Sequence, residues 1–254
     1  MLSKNQIKEI QSLQIKKFRE SKKQFIAEGI KTVLEILEHA PILLEDIFAT
    51  REFIEAHKET LRRLNLKYTE VSEAELKKIS LQTTPSGVMA ICRYFKEPKA
   101  DFDFENNFAF FLDDVRDPGN LGTIIRLADW FGVSTIFCSP GSCDFYNPKV
   151  IQSTMGAFLR VSSVYIELKD LLAKQQIKTI YGAVLTGSNL YKEKLTNGLI
   201  VIGNEANGIS EENLNLLTKK LTIPANQNNG TESLNAAMAT SIIASEFFRQ
   251  LKQS

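Results

Sequence analysis

Five short apolar runs mark out the second part of the chain, at 108–112, 134–138, 179–185, 199–202 and 221–223. Most of their residues are apolar in succession rather than alternating, so a strand made from such a run has to be covered on both faces. Between them, at 121–131, 148–158, 168–175 and 211–217, apolar residues recur at the helical period, and a last helical pattern runs from 233 to 251. Strands buried on both faces and separated by helices predict an α/β architecture around a largely parallel sheet. In such sheets ligands bind beyond the carboxyl ends of the strands. Four of those ends are polar and glycine-rich: DDVRDPGNLGTIIR (113–126), LTGSNLY (185–191), IGNEANGIS (202–210) and IPANQNNGTESLNAAMA (223–239).

The polar stretch 94–107 contains a proline and reads as a linker, which divides the sequence into a domain at 1–99 and a second at 100–254. In the first, QFIAEGIKTVLEILEHA predicts a short strand and then a helix with Ile30, Val33, Leu34 and Leu37 on one face. PILLEDIFAT, a charged helix and the strand GVMAICRYF complete a small α/β module.

Charge is spread unevenly between the two. Residues 1–99 hold 18 Lys and Arg against 14 Asp and Glu, while residues 100–254 hold 13 against 16, for a net charge of only +1. Within 1–23 there are seven basic side chains and two glutamates. Lys16, Lys17, Arg19, Lys22 and Lys23 are therefore candidates to track the phosphates of a nucleic acid, against the plainer reading of a solvated helix face. No apolar run approaches a membrane span and the start lacks a signal-peptide core, so a cytoplasmic protein is expected. The three cysteines lack metal-type spacing, and buried, reduced thiols fit that compartment.

The familiar motif chemistry is missing. There is no GxxxxGK[ST] phosphate loop and no GxGxxG fingerprint, and the only histidines, His39 and His57, lie in the first domain. The second domain therefore lacks the histidine of a Ser-His-Asp triad or an ordinary zinc site, and no metal is expected. Its chemistry falls to Arg, Glu, Asn, Ser and backbone groups.

Asn120 and Gly122 could simply form a turn and cap a helix. Arg126 sits among Ile124, Ile125, Leu127 and Ala128, where an unpaired charge is costly. Either Asp113 or Asp114 pairs with it, or its planar fork waits for a phosphate. Glu205 stands between Gly203 and Gly208, with Ser210 placed to cap the next helix. Ser233 and Asn235 fall in the first turn of the last helix; capping accounts for Thr231 or Ser233 without requiring Asn235.

Together these segments resemble the three signature motifs of the SpoU (TrmH) family of RNA ribose 2′-O-methyltransferases. N-x-G-x-x-x-R matches at Asn120, Gly122 and Arg126; the G-N-E-G-type loop at Gly203, Asn204, Glu205 and Gly208; and I-P followed by S-L-N at Ile223, Pro224, Ser233, Leu234 and Asn235. Ala206 replaces a glycine usual in the family, the stretch 225–232 runs about two residues long by motif spacing, and NAAMA replaces a valine-rich continuation. The first domain, through FIAEGIKTVLEIL and ISLQTTPSGVMAI, is similar to the L30e-like substrate-binding domain of many members.

The resemblance implies an α/β fold with a carboxyl-terminal trefoil knot and a homodimer whose site is completed across the interface. It implies S-adenosyl-L-methionine held by Gly203, Ile223 and Leu234, with Thr186 and Gly187 beside them. It also implies methylation of a ribose 2′-hydroxyl in RNA, ribosomal RNA ranking ahead of transfer RNA. Arg126 is then expected to clamp a phosphate and stabilise the 2′-oxygen from a dry, apolar surround, with Asn120, Glu205, Ser233 and Asn235 positioning it and the ribose. The competing reading is a non-catalytic RNA-binding or ribosome-assembly protein on the same fold, which has no need of the intact Asn120–Arg126–Glu205–Asn235 set.

Overall fold

The computed structural model describes residues 2–95, 102–226 and 232–252. Two compact units divide the chain: Met1–Glu97 with Asp144–Leu159, and Pro98–Cys143 with Arg160–Ser254.

The first unit begins with α1 (Lys4–Ser12) and α2 (Lys16–Lys22), followed by β1 (Gln24–Glu28) and α3 (Ile30–His39). It continues through β2 (Leu44–Ala49), α4 (Arg51–Ala56), α5 (Lys58–Arg63), β3 (Thr69–Glu70), α6 (Glu73–Ile79) and β4 (Val88–Arg93). Two helices start where the sequence supplies reciprocal caps, Ser3 with Gln6 on α1 and Ser72 with Glu75 on α6. The sheet runs β1-β4-β2-β3, with β4 antiparallel to both neighbours and buried from Val88 to Cys92. The buried face of α3 is Val33, Ile36 and Leu37. That face is rotated from the expected one: Ile30 opens the helix and is exposed, and Leu34 is only half-buried.

In the second unit the chain runs through β5 (Phe108–Leu112), α7 (Pro118–Trp130) and β6 (Thr135–Cys138). It then crosses to the first unit for α8 (Pro148–Thr154), which packs on β1. This helical stretch lies, by sequence, inside the domain expected at 100–254; nothing in its periodicity marks the surface it covers. The second unit resumes with β7 (Ser162–Tyr165), α9 (Leu168–Lys174), β8 (Ile180–Asn189), β9 (Gly198–Ile202), α10 (Glu211–Leu214), β10 (Lys219–Thr222) and α11 (Ala236–Lys252).

Among the described residues its six strands are ordered β10-β8-β9-β5-β6-β7, and every neighbouring pair is parallel. All the carboxyl ends therefore lie along one edge. Central β5 is covered on both faces, with Phe108, Phe110, Phe111 and Leu112 at most 2% exposed. Each such side chain contributes about 1.5–3 kcal/mol of burial, so the loop that leaves β5 starts from a rigid post. Peripheral β7 has no continuous apolar run to announce it. Among the described residues no helix is long and apolar enough to cross a membrane. Burial pushes the thiols of Cys92 and Cys138 up, which keeps them protonated and inert.

Candidate active site

Three strand ends meet at one point of the second unit. β5 ends in Asp113 and Asp114, β9 in the loop from Gly203 to Ser210, and the segment after β10 leads to the start of α11. Buried Asp113 fixes the first junction: its main-chain N–H donates to the Ile202 carbonyl at 2.8 Å, and its carboxylate accepts from the Ser210 N–H at 2.8 Å. Ser210 thus stands at the start of α10 without a side-chain cap bond, and its main chain serves the site instead.

Asp117 caps α7, accepting from the Asn120 N–H at 2.8 Å, and Pro118 occupies the first turn, where its missing N–H costs nothing. Asn120 is therefore not the cap. Its side chain is free to turn outward, where its amide donates to Glu205 Oε1 and its carbonyl oxygen accepts from the Asn235 amide at 2.9 Å. Asn235 in turn accepts from the N–H groups of Ala237 and Met238 at 3.0 and 3.3 Å, so it caps α11, a role that the sequence offered to Thr231 or Ser233. One asparagine caps the start of the last helix and holds the asparagine of the first motif.

The Glu205 loop is closed by paired main-chain bonds between Asn204 and Gly208, at 2.8 and 2.9 Å. Asn204 Oδ1 accepts from Ala206 and Asn207, which leaves Glu205 at the tip. Gly208 takes φ 67°, a conformation glycine adopts without strain. A Cβ on Gly203 would stand 2.2 Å from the main-chain carbon of Gly208, so the loop requires glycine there.

The expected cofactor residues line the neighbouring strand ends. Thr186 and Gly187 lie in the carboxyl half of β8, near the irregularity where its pairing with β10 changes register. Both are exposed, and a Cβ on Gly187 would meet the Lys220 carbonyl at 2.7 Å. Ile223 is half-buried and Leu234 is 45% exposed. Backbone-lined edges with two accessible aliphatic groups fit a flat, apolar ring with polar rims, the chemistry of an adenine nucleoside.

Two expectations change. Arg126 is exposed rather than enclosed, because α7 buries Leu121, Ile124, Ile125 and Ala128 on its opposite face. Neither aspartate pairs with it: Asp113 is engaged by Ser210, Asp114 pairs with Arg116, and Arg126 has no ion partner among the described residues. Arg19 is 2% exposed and donates to Asp144 at 2.6 Å and to the carbonyls of Leu13 and Gln14, so it is a structural cation of the first unit and not an RNA contact. Lys16, Lys17, Lys22 and Lys23 are exposed, Lys16 near Glu20 and Lys23 over the Tyr94 ring. Ser233 is exposed and bonds to none of the site groups among the described residues, and 227–231 of the long loop, with Thr231, lie outside them.

Sequence reasoning overlooked Arg116, and named Asp114 only as a candidate partner of Arg126. Their one signal was the doublet of aspartates directly after a buried strand. Among the described residues, no group of His, Cys, Asp and Glu is placed to hold a metal ion.

Comparison with known proteins gives two family matches. Residues 107–245 match the SpoU rRNA Methylase family, and residues 4–90 match the MRM3-like substrate binding domain. The chain is 29% identical over 247 residues to a 23S rRNA (guanosine-2′-O)-methyltransferase of Bacillus subtilis, covering 95% of each protein. A solved structure of the TrmH family from Porphyromonas gingivalis superposes with a TM-score of 0.83 at 37% identity, covering 98% of this chain and 99% of that one. An AdoMet-bound rRNA methyltransferase from Sinorhizobium meliloti superposes at 0.85 with 26% identity, covering 100% and 97%.

Proposed function

We propose, starting from a chain that belongs to the SpoU rRNA methylase family, that it transfers a methyl group from S-adenosyl-L-methionine to a ribose 2′-hydroxyl in ribosomal RNA. The observation that carries this reading is the Glu205–Asn120–Asn235 chain of hydrogen bonds, which joins all three motifs at one edge of the sheet. A pure RNA binder has no use for three motifs locked together by side-chain hydrogen bonds. The cofactor supplies an electrophilic methyl group, and Gly203, Ile223 and Leu234, with Thr186 and Gly187, are the residues to hold it.

The remaining work belongs to the chain's own groups. The 2′-oxygen is a weak nucleophile while its proton stays on. A guanidinium is a poor proton acceptor, so Arg126 acts by charge and hydrogen bonding rather than as a base. Its fork clamps the phosphate beside the target ribose and stabilises negative charge developing on the 2′-oxygen as the proton leaves to solvent. Asn120, aligned by Glu205 and Asn235, orients the ribose, with Ser233 at the rim.

A homodimer supplies the dry surround that the single chain lacks at Arg126. Trp130, one helical turn beyond Arg126 on the same face of α7, is 81% exposed, and Met238 on α11 is 57% exposed. A second copy over this face buries both and excludes water from the arginine. Family membership supports a knot in the carboxyl-terminal passage, and a ribosomal RNA substrate supports a cytoplasmic protein.

The test is methyl transfer from labelled S-adenosyl-L-methionine to ribosomal RNA from a strain lacking the gene, with 2′-O-methylation mapped on the product. Arg126→Ala and Arg126→Lys are expected to lower the rate at least a hundredfold while cofactor affinity, by calorimetry, stays within about threefold. No transfer by the wild-type chain, or no cofactor binding at millimolar concentration, rejects the reading.

A further inference from the structure

We propose that Arg116 is a second phosphate-binding arginine of the RNA site, and that Asp114 is the residue that positions it. The inference rests on the RNA methyltransferase reading and adds a group outside the three motifs. Arg116 is 73% exposed and directly precedes the cap of α7. Its Nε–H donates to Asp114 Oδ1 at 2.9 Å. Among the described residues the two terminal nitrogens have no partner, so one planar edge of the guanidinium stays available. That edge matches the two oxygens of a phosphodiester.

An exposed ion pair alone contributes little to stability and calls for no special support. The support here is elaborate. Asp114 takes φ 58°, a left-handed conformation that aspartate adopts more readily than most side chains and that here is held by its neighbours. Its N–H donates to Ser139 Oγ at 2.8 Å, from the loop after β6. Its carbonyl accepts from the Asn204 amide at 2.8 Å, from the loop after β9. A Cβ on Gly141 would stand 2.6 Å from Oδ1, so glycine there makes room for the carboxylate. Three strand ends thus fix one carboxylate whose partner is an exposed arginine.

The loop after β9 ties this arrangement to the reaction. Asn204 holds Asp114, and the next residue, Glu205, holds Asn120. One dipeptide therefore sets the anchor of Arg116 and the asparagine that orients the ribose. Arg116 lies four residues before Asn120 and Arg126 six residues after it. A ribose within a strand carries a phosphate on each side, and this layout offers an arginine to each. Residues 100–254 hold 13 basic against 16 acidic side chains, so an RNA strand needs local cations where it meets the site.

The test uses the full chain and unmethylated ribosomal RNA from the deletion strain. Arg116→Gln, Arg116→Lys and Asp114→Asn are compared with wild type for KM and kcat, for cofactor affinity, and for RNA affinity against log salt without cofactor. Arg116→Gln is expected to raise the RNA KM about tenfold and to make the salt slope shallower by about one. Its loss appears in KM rather than kcat, and cofactor affinity is unchanged. Arg116→Lys keeps the salt slope but recovers only part of the KM, because it lacks the fork. Asp114→Asn raises KM with the salt slope intact, as expected for a residue that acts through Arg116. An unchanged KM and slope in Arg116→Gln, with the melting temperature also unchanged, overturns the proposal. Failure of wild type to methylate RNA overturns the enzyme reading instead, and the salt slopes still decide whether Arg116 meets a phosphate.

Discussion

Asn235 carries two jobs that substitution can separate. Asn235→Ala removes the cap of α11 and the grip on Asn120 together. It is expected to cost about 1 kcal/mol of stability and at least tenfold in methyl transfer. Asn235→Asp keeps an acceptor for the Ala237 and Met238 N–H groups but loses the amide that reaches Asn120. That variant should melt near the wild type and still lose the activity; thermal melts beside initial rates check both, and an active aspartate variant would break the link from Asn235 to Asn120. At this scale the motif residues were legible one by one, since polar side chains at strand ends stand out from apolar surroundings. Their mutual bonds were not, because Asn120, Glu205 and Asn235 are 85 and 115 residues apart in pairs that no periodicity connects. Arg126 and Arg19 show the same limit from opposite sides. The first has apolar neighbours in sequence yet faces out, and the second has basic neighbours yet is buried against Asp144. A single residue's burial depends on the helix face, and a local run of charge or apolarity does not report it.

Glycines and end-of-helix ion pairs act on whole elements. Gly203→Ala forces a Cβ against the Gly208 main chain and is expected to cost about 2 kcal/mol or more and to weaken cofactor binding at least tenfold. Gly208→Ala meets no atom within 4 Å but has to hold φ 67°, so its cost should be nearer 1 kcal/mol. Equal losses at the two positions would count against close approach as the reason for Gly203. On α11, Glu246 is nearly enclosed and accepts from Arg249 and Gln250, and Gln250 also accepts from the Leu195 N–H at 3.0 Å. The bond from Arg249, despite opposing burial, holds the Glu246 carboxyl down to about 2. A carboxyl lowered on folding stabilises the native state above its ordinary value of 4.5, and that contribution fades as pH falls towards 2. Glu246→Gln should therefore lower the melting temperature by a few degrees at pH 7, corresponding to about 1 kcal/mol because Arg249 is largely in water, and by nothing measurable near pH 2. The continuous apolar strands were readable to within a few residues. Strand β7 was not, since a partly exposed strand of serines carries no hydrophobic signature, and β8 runs past its apolar half into polar residues that pair with the end of β10.

For the whole molecule the expectation is electrostatic. If the first unit recruits RNA through its phosphates, affinity falls steeply with salt, and reversing Lys17 and Lys22 to glutamate in the full chain should weaken binding and flatten the slope by about two. An unchanged slope would reassign recruitment to other residues. Removing residues 1–99 is a poorer experiment than the sequence implies. It strips β1 from α8, leaving Val150, Ile151 and Phe158, each at most 2% exposed, without their cover. The composition shift near residue 99 suggested a single boundary between two domains. It could not show that the chain comes back, because a returning segment of ordinary helical pattern looks like its neighbours in sequence. That return has a consequence for how the protein is made. Residues 144–159 are synthesised after β5, α7 and β6, so the amino-terminal unit cannot finish packing until strands of the next unit have already emerged. Vectorial folding, amino-terminal domain first, is closed to it. The same threading means that no single crossover in the gene can swap one unit for another intact, and the two are inherited as one piece.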